Sequence, residues 1–356
     1  MSLPLDAIKP QVRELRPYSL KAEQRRIKLN QNENPWDAPL VIKQETLKRL
    51  ADRAWSRYPD FSSLHFHQRL ADFSCWNADG VIAGNGSNEL IQALLMVTIG
   101  AGKRVLINEP TFALYRQITT VLGGEVLSVP LTPELVFDVK ALKTLMQSTD
   151  PEVVIICSPN NPTGCVMESS DLASVLKNTR GLVVVDEAYF EFSRQSAVPL
   201  LSQHKNLVVL RTFSKAMALA GLRVGYLLAA PELVCEVAKA VLPYNLNIVS
   251  QTAAEVAVEM YEAALLPLVQ TIISERERLY RELNNIEGLS PVRSQANFMV
   301  VRSAVEPKRV FRELLRRDIL IRDVSGYPML KDFFRISVGT PDENDVLIGA
   351  LGEILR

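Results

Sequence analysis

The sequence predicts an α/β protein: a large, mainly parallel sheet with helices on its faces, then a smaller α+β unit, with an N-terminal arm in front. Three observations predict it. Between residues 104 and 229, short β-branched runs alternate with stretches of helical period, the pattern of strands joined by crossover helices. The 356 residues suffice for more than one compact unit around a large core. Prolines at positions 4, 10, 17, 35 and 39 interrupt any regular core element in the first forty residues, which read as an arm packed on another surface.

The apolar runs place strands at 104–108, 125–129, 153–157, 182–185, 207–211 and 225–229, with helices at 88–99, 112–122, 169–179 and 232–241 between them. Residues 250–285 keep a helical period and carry Glu/Arg pairs, which predicts one long helix leading out of the sheet unit. Beyond it come strands near 297–302, 320–323 and 333–338, a helix near 307–317, and a last helix after Pro341-Asp342-Glu343. The expected division is an arm at 1–40 that packs with the small unit, a large unit at 41–275 and a small unit at 276–356. In open α/β sheets, ligands bind beyond the carboxyl ends of strands, so residues just after each strand matter most.

Forty Lys+Arg balance forty Asp+Glu, which leaves no net field to favour nucleic acid or an anionic membrane. No run of about 18 apolar residues and no leader-like start is present, so a cytoplasmic protein is expected. Cys75, Cys157, Cys165 and Cys235 are scattered and only three His accompany them; they read as buried or half-buried free thiols, and no metal site is expected. A nicotinamide-binding reading fails for want of a Gly-x-Gly-x-x-Gly turn opening the first helix.

Four segments carry chemistry. Lys215, in Thr212-Phe-Ser-Lys-Ala-Met217, follows a hydrophobic strand and precedes small residues. Burial disfavours an ammonium, and an amine neutral near pH 7 can attack a carbonyl; taken alone, the residue reads more readily as an exposed loop lysine. Leu182-Val-Val-Val-Asp-Glu-Ala-Tyr189 ends an apolar strand on Asp186, whose carboxylate needs a cationic partner or caps the following turn. Ser158-Pro-Asn-Asn-Pro-Thr-Gly164 is a proline-stiffened loop presenting Asn161. Gly84-Asn-Gly-Ser-Asn-Glu-Leu90 is a glycine turn opening a helix, suited to a phosphate or to simple N-capping by Ser87 or Asn88.

In this order the four segments resemble the fold-type I, pyridoxal-phosphate-dependent aminotransferases over nearly the whole chain. The resemblance implies that pyridoxal 5'-phosphate is the cofactor and that Lys215 holds its carbonyl carbon and shuttles the substrate Cα proton. It further implies that Asp186 pairs with the ring nitrogen, that Asn161 and Tyr189 contact the ring hydroxyl, and that Ser214, Arg223, Gly86, Ser87 and Asn88 hold the phosphate. Phe112 falls where the family stacks an aromatic ring on the cofactor, usually a Tyr. Arg335, in Phe333-Phe-Arg-Ile-Ser-Val338, matches the arginine that binds the substrate carboxylate.

Leu29-Asn-Gln-Asn-Glu-Asn-Pro35, Arg57-Tyr-Pro59, Ile321-Arg-Asp323 and Gly326-Tyr-Pro328 narrow the resemblance to the histidinol-phosphate aminotransferase branch. That branch implies a homodimer acting on histidinol phosphate, glutamate and 2-oxoglutarate. Arg322 and Tyr18 would lie near the substrate phosphate, Asn32 and Glu33 would close over the substrate, and Tyr58 would reach the neighbouring subunit's cofactor. Aromatic aminotransferases share much of the pattern, and a threonine phosphate decarboxylase is similar; these stay open as alternatives.

Overall fold

The computed structural model describes residues 4–17, 25–60 and 63–356. In chain order its strands are β1 Ile27–Lys28, β2 Val81–Gly84, β3 Arg104–Glu109, β4 Glu125–Pro130, β5 Val153–Cys157, β6 Leu182–Asp186 and β7 Leu207–Thr212. They continue as β8 Gly225–Ala229, β9 Leu289–Pro291, β10 Phe298–Ser303, β11 Ile319–Leu320, β12 Arg322–Asp323 and β13 Phe333–Ser337.

Seven strands form the main sheet in the order β2-β8-β7-β6-β5-β3-β4, parallel except for β8, which runs against both neighbours. Side chains alternate across a strand, so each apolar run feeds two cores. Val183 and Val185 join one cluster while Val184 joins the other; Val154 and Ile156 are likewise split from Val153 and Ile155. Each fully buried Val contributes roughly 1.5–3 kcal/mol of transfer free energy. The same alternation puts Cys157, Asp186 and Thr212, the last residues of β5, β6 and β7, on one face at the carboxyl edge.

The smaller sheet is antiparallel, β12-β13-β10-β9. One face packs Met299, Val301, Phe334 and Ile336 against Leu279, Leu314 and Leu347 of its helices. The other turns Phe298 toward Tyr189 and Ala216 of the large sheet's loops. The last helix, Pro341–Leu355, starts at Pro341 and is fixed by a reciprocal cap: the Glu343 backbone N–H donates to Thr340 Oγ1 and the Thr340 N–H to Glu343 Oε2.

Several expectations need correction. The helix expected at 250–285 is two helices, Ile248–Glu259 and Leu266–Asn284, bent by 79° about a π-helical stretch at Tyr261–Leu265. Pro267 has no N–H to continue the ladder, so the chain restarts there. The arm is no mere surface strap: β1 pairs in parallel with β11, and Ile27 and Leu29 are buried in the small sheet's core. The 320–323 run is two strands serving different sheets. β2 and the helices Leu40–Ala51, Leu64–Ser74 and Val139–Thr149 lie outside the expected elements. Cys75 and Cys235 are exposed, while Cys157 and Cys165 are buried free thiols. Among the described residues, no single helix is long and apolar enough to cross a membrane.

Candidate active site

A cavity of about 240 Å³ opens at the carboxyl edge of the main sheet, between it and the smaller sheet. Lys215, Asp186, Tyr189, Asn161, Ser87, Asn88, Phe112, Ser214, Arg223, Asn32, Arg322 and Arg335 all line it.

Lys215 sits in the turn after β7, inside the protein. Its Nζ donates to the backbone carbonyl of Gln31, 2.9 Å away, and lies 5.8 Å from the Tyr189 ring centroid. Burial, with the nearby Arg335 guanidinium, lowers its ammonium pKa to about 8. At pH 7, about a tenth of such amines are unprotonated, against a few in ten thousand for a free lysine. Burial also raises the Asp186 carboxyl, opposed by two donors: Tyr115 O–H to Oδ2 at 2.6 Å and Ala188 N–H to Oδ1 at 3.1 Å. The Ala188 contact is the expected turn-capping one, so Asp186 both caps its turn and faces the cavity.

The Tyr189 hydroxyl accepts from Asn32 Nδ2 at 3.1 Å and Asn161 Nδ2 at 3.4 Å; burial raises its pKa. Asn161 Oδ1 in turn accepts from Arg335 Nη1 at 2.5 Å, and Asn30 O accepts from Arg335 Nη2 at 2.8 Å. Asn32, at φ 54°, is clamped by Ser337: its N–H donates to Ser337 Oγ, and that hydroxyl donates to Asn32 Oδ1.

At the opposite end, the helix Ser87–Thr98 begins beside Arg223 and Ser214, with Arg223 Nη1 donating to Ser214 Oγ at 2.9 Å. Gly86, at φ +76°, holds a left-handed conformation that L side chains rarely adopt, and a Cβ there would press on the Arg223 guanidinium. Gly225 lets that turn approach, since its Cβ would fall 2.3 Å from the Ser87 nitrogen. A helix N-terminus, a hydroxyl and a guanidinium around a glycine-bare turn form a donor set for a phosphate dianion.

Glu33 and Tyr58 do not line this cavity. Glu33 points into a neighbouring cavity, where Lys28 Nζ holds it at 2.6 Å; the left-handed turn at Asn32 and the attraction of the lysine direct it there. Tyr58 is 80% exposed and stacks on Tyr244, centroids 4.5 Å apart, so it does not line this cavity. Tyr18 lies outside the described residues. Conversely, Gln31, Tyr115, Cys157, Thr212 and Tyr327 line the cavity without having been singled out. Tyr327 stood inside a quoted motif, and Tyr115 three residues past Phe112; a tyrosine on an amphipathic helix gives no sequence signal of its own.

What this cavity offers is the chemistry of the aminotransferases of class I and II, and that family matches residues 24–351. The histidinol-phosphate aminotransferase of Chlorobium phaeovibrioides is 40% identical over 97% of this chain and 96% of its own length. Its counterpart in Chlorobium phaeobacteroides is 40% identical over the same shares. The solved histidinol-phosphate aminotransferase of Sinorhizobium meliloti, in complex with pyridoxal-5'-phosphate, shares the fold at a TM-score of 0.89 and 23% identity, covering 98% of this chain and 97% of that one. The chain belongs to the histidinol-phosphate aminotransferase family within that class.

Proposed function

We propose that the protein moves an amino group from L-glutamate to imidazole acetol phosphate, yielding 2-oxoglutarate and L-histidinol phosphate, with pyridoxal 5'-phosphate as cofactor. One observation carries this reading: a half-buried amine, Lys215, and a buried carboxylate, Asp186, line the same cavity as two arginines from the smaller sheet. The glycine-bare turn at Gly86 and the Ser214–Arg223 pair fit the cofactor's phosphate, and Asp186 fits a cationic ring nitrogen. When bound, the cofactor supplies an electrophilic carbonyl and an electron-withdrawing ring beside the substrate Cα.

Lys215 then acts twice, as the nucleophile that anchors the cofactor and as the base that takes and returns the Cα proton; its lowered pKa suits both roles. Asp186 would keep a proton on the ring nitrogen. Asn161 and Tyr189 would hydrogen-bond the ring hydroxyl, and Phe112 would pack against the ring. Ser87, Asn88, Gly86, Ser214 and Arg223 would hold the phosphate. Arg335 would take the carboxylate of glutamate, Arg322 with Tyr18 would take the phosphate end of histidinol phosphate, and Asn32 would close over the substrate.

The division into arm 1–40, large unit 41–275 and small unit 276–356 belongs to this reading, as do a cytoplasmic location and a homodimer. The exposed Tyr58–Tyr244 stack supports the dimer, since an exposed aromatic pair suits burial against a partner subunit. Mixing Lys215→Ala with Tyr58→Phe subunits tests it: partial activity in the mixture supports a shared site. For the reaction itself, purified protein is given glutamate with imidazole acetol phosphate or with phenylpyruvate. A higher kcat/KM for imidazole acetol phosphate supports the proposal; preference for phenylpyruvate makes it an aromatic aminotransferase.

A further inference from the structure

Asp186 does not stand alone at the cavity floor. The phenol of Tyr115 donates to its Oδ2 at 2.6 Å, and the whole Tyr115 side chain is buried in the core beneath the sheet edge. Its ring meets Phe112 edge-to-face, centroids 5.5 Å apart at 84°. Tyr115 opens the helix Leu114–Leu122, and its N–H reaches the Phe112 carbonyl. One side chain therefore touches both the carboxylate and the aromatic ring of the cavity.

We propose that Tyr115 is a positioning residue for the reaction: its hydroxyl fixes one oxygen of Asp186, so that the carboxylate keeps its charge and turns its remaining lone pairs toward the ring nitrogen, while its ring backs Phe112. This rests on the aminotransfer reading above.

The physical reason is the isolation of the acid. A carboxylate taken out of water prefers to bind a proton unless donors hold it ionised. Around Asp186, burial and the neighbouring Glu187 favour the neutral acid; the Tyr115 O–H, the Ala188 N–H and the Lys215 ammonium oppose them. Among the described residues, only the Tyr115 donor is a side chain hydrogen-bonded to the acid itself. A charge-assisted bond of this kind is short and about twice as strong as a neutral one. Without it the Ala188 N–H alone holds the acid, on its other oxygen, and the acid more readily keeps the proton that the ring nitrogen needs.

Tyr115→Phe removes one oxygen and preserves the packing. Reconstituted with pyridoxal phosphate, it is expected to bind the cofactor about 3- to 30-fold more weakly and to lose about 10- to 100-fold in kcat of the glutamate half-reaction, with KM for glutamate changed by less than about threefold. A cofactor analogue with carbon in place of the ring nitrogen should bind the variant and wild type within about twofold of each other, because it offers the carboxylate nothing to hold. Tyr115→3-fluorotyrosine, which keeps the donor, should restore wild-type binding and turnover. Three results would overturn the proposal: native-cofactor affinity and kcat unchanged in Tyr115→Phe, an equal affinity loss with the analogue, or the same loss with the fluorinated residue. Wild type failing to bind the cofactor at all would instead overturn the aminotransfer reading on which this one stands.

Discussion

Arg322 on β12 and Arg335 on β13 are direct partners across an antiparallel ladder, and both line the candidate active-site cavity. Directly opposite residues share a face of the sheet, where like charges repel. Two guanidiniums so placed suit anions, and the substrates proposed above bring a carboxylate and a phosphate.

The two arginines should therefore separate by substrate. Arg335→Ala is expected to raise KM for glutamate by about 100-fold or more, because a bidentate carboxylate contact is lost. Arg322→Ala should raise KM for histidinol phosphate by a similar factor and that for glutamate by less. Steady-state kinetics of both half-reactions measures this; wild-type values in both variants would remove the assignment.

Lys215→Ala should abolish transamination and the visible absorbance of the bound cofactor. The cofactor-free variant should nevertheless be more stable than wild type below about pH 8. The folded ammonium titrates near 8 and the unfolded one near 10.5, so the folded chain releases its proton first and its stability rises with pH across that window. Below it, wild type carries an unfavourable buried charge that the alanine lacks. Thermal melts of both cofactor-free proteins from pH 6 to 10 should show the gap narrowing as pH rises.

Glu191 offers a second pH signature, away from the cavity. Burial raises its carboxyl to about 8, and its Oε2 has no hydrogen-bond partner among the described residues. A folded pKa above the unfolded 4.5 means full stability below about pH 4.5 and a progressive loss up to about 8. Glu191→Gln should remove that loss, on the order of 5 kcal/mol, so its advantage over wild type should grow between pH 5 and 8 in denaturant titrations. A constant difference across that range would show the carboxyl to be ionised throughout.

At Gly86, alanine must adopt a left-handed φ and meet the Arg223 guanidinium. Gly86→Ala is expected to weaken pyridoxal phosphate binding by about tenfold or more while circular dichroism stays that of the wild type, because the strain falls on the turn and not on the core. Fluorescence titration with the cofactor measures it.

Much of this was legible in the chain itself. Strand apolar runs such as Leu182-Val-Val-Val and Val153-Val-Ile-Ile carry two-faced burial in their composition, and period two decides which of their last residues share a face. The glycine turn, the Ser-Lys pair and the Asn-Pro loop are local signals, and they lie on the cavity wall. The bend at Pro267 was less legible, because helical period continues on both sides of it and the proline merely marks where the second helix begins.

Sequence alone determined where the chain alternates, which residues end each strand, and that a lysine and an acid follow apolar runs, since all of these are set by neighbours along the backbone. Tertiary structure decided which distant groups meet: Tyr115 on Asp186, Asn32 on Tyr189, Arg335 on Asn161, and Glu33 drawn aside to Lys28. Those pairings depend on strand order and on how the small sheet seats against the large one. The free energy of such contacts is a property of positions in space, and no spacing along the chain encodes it.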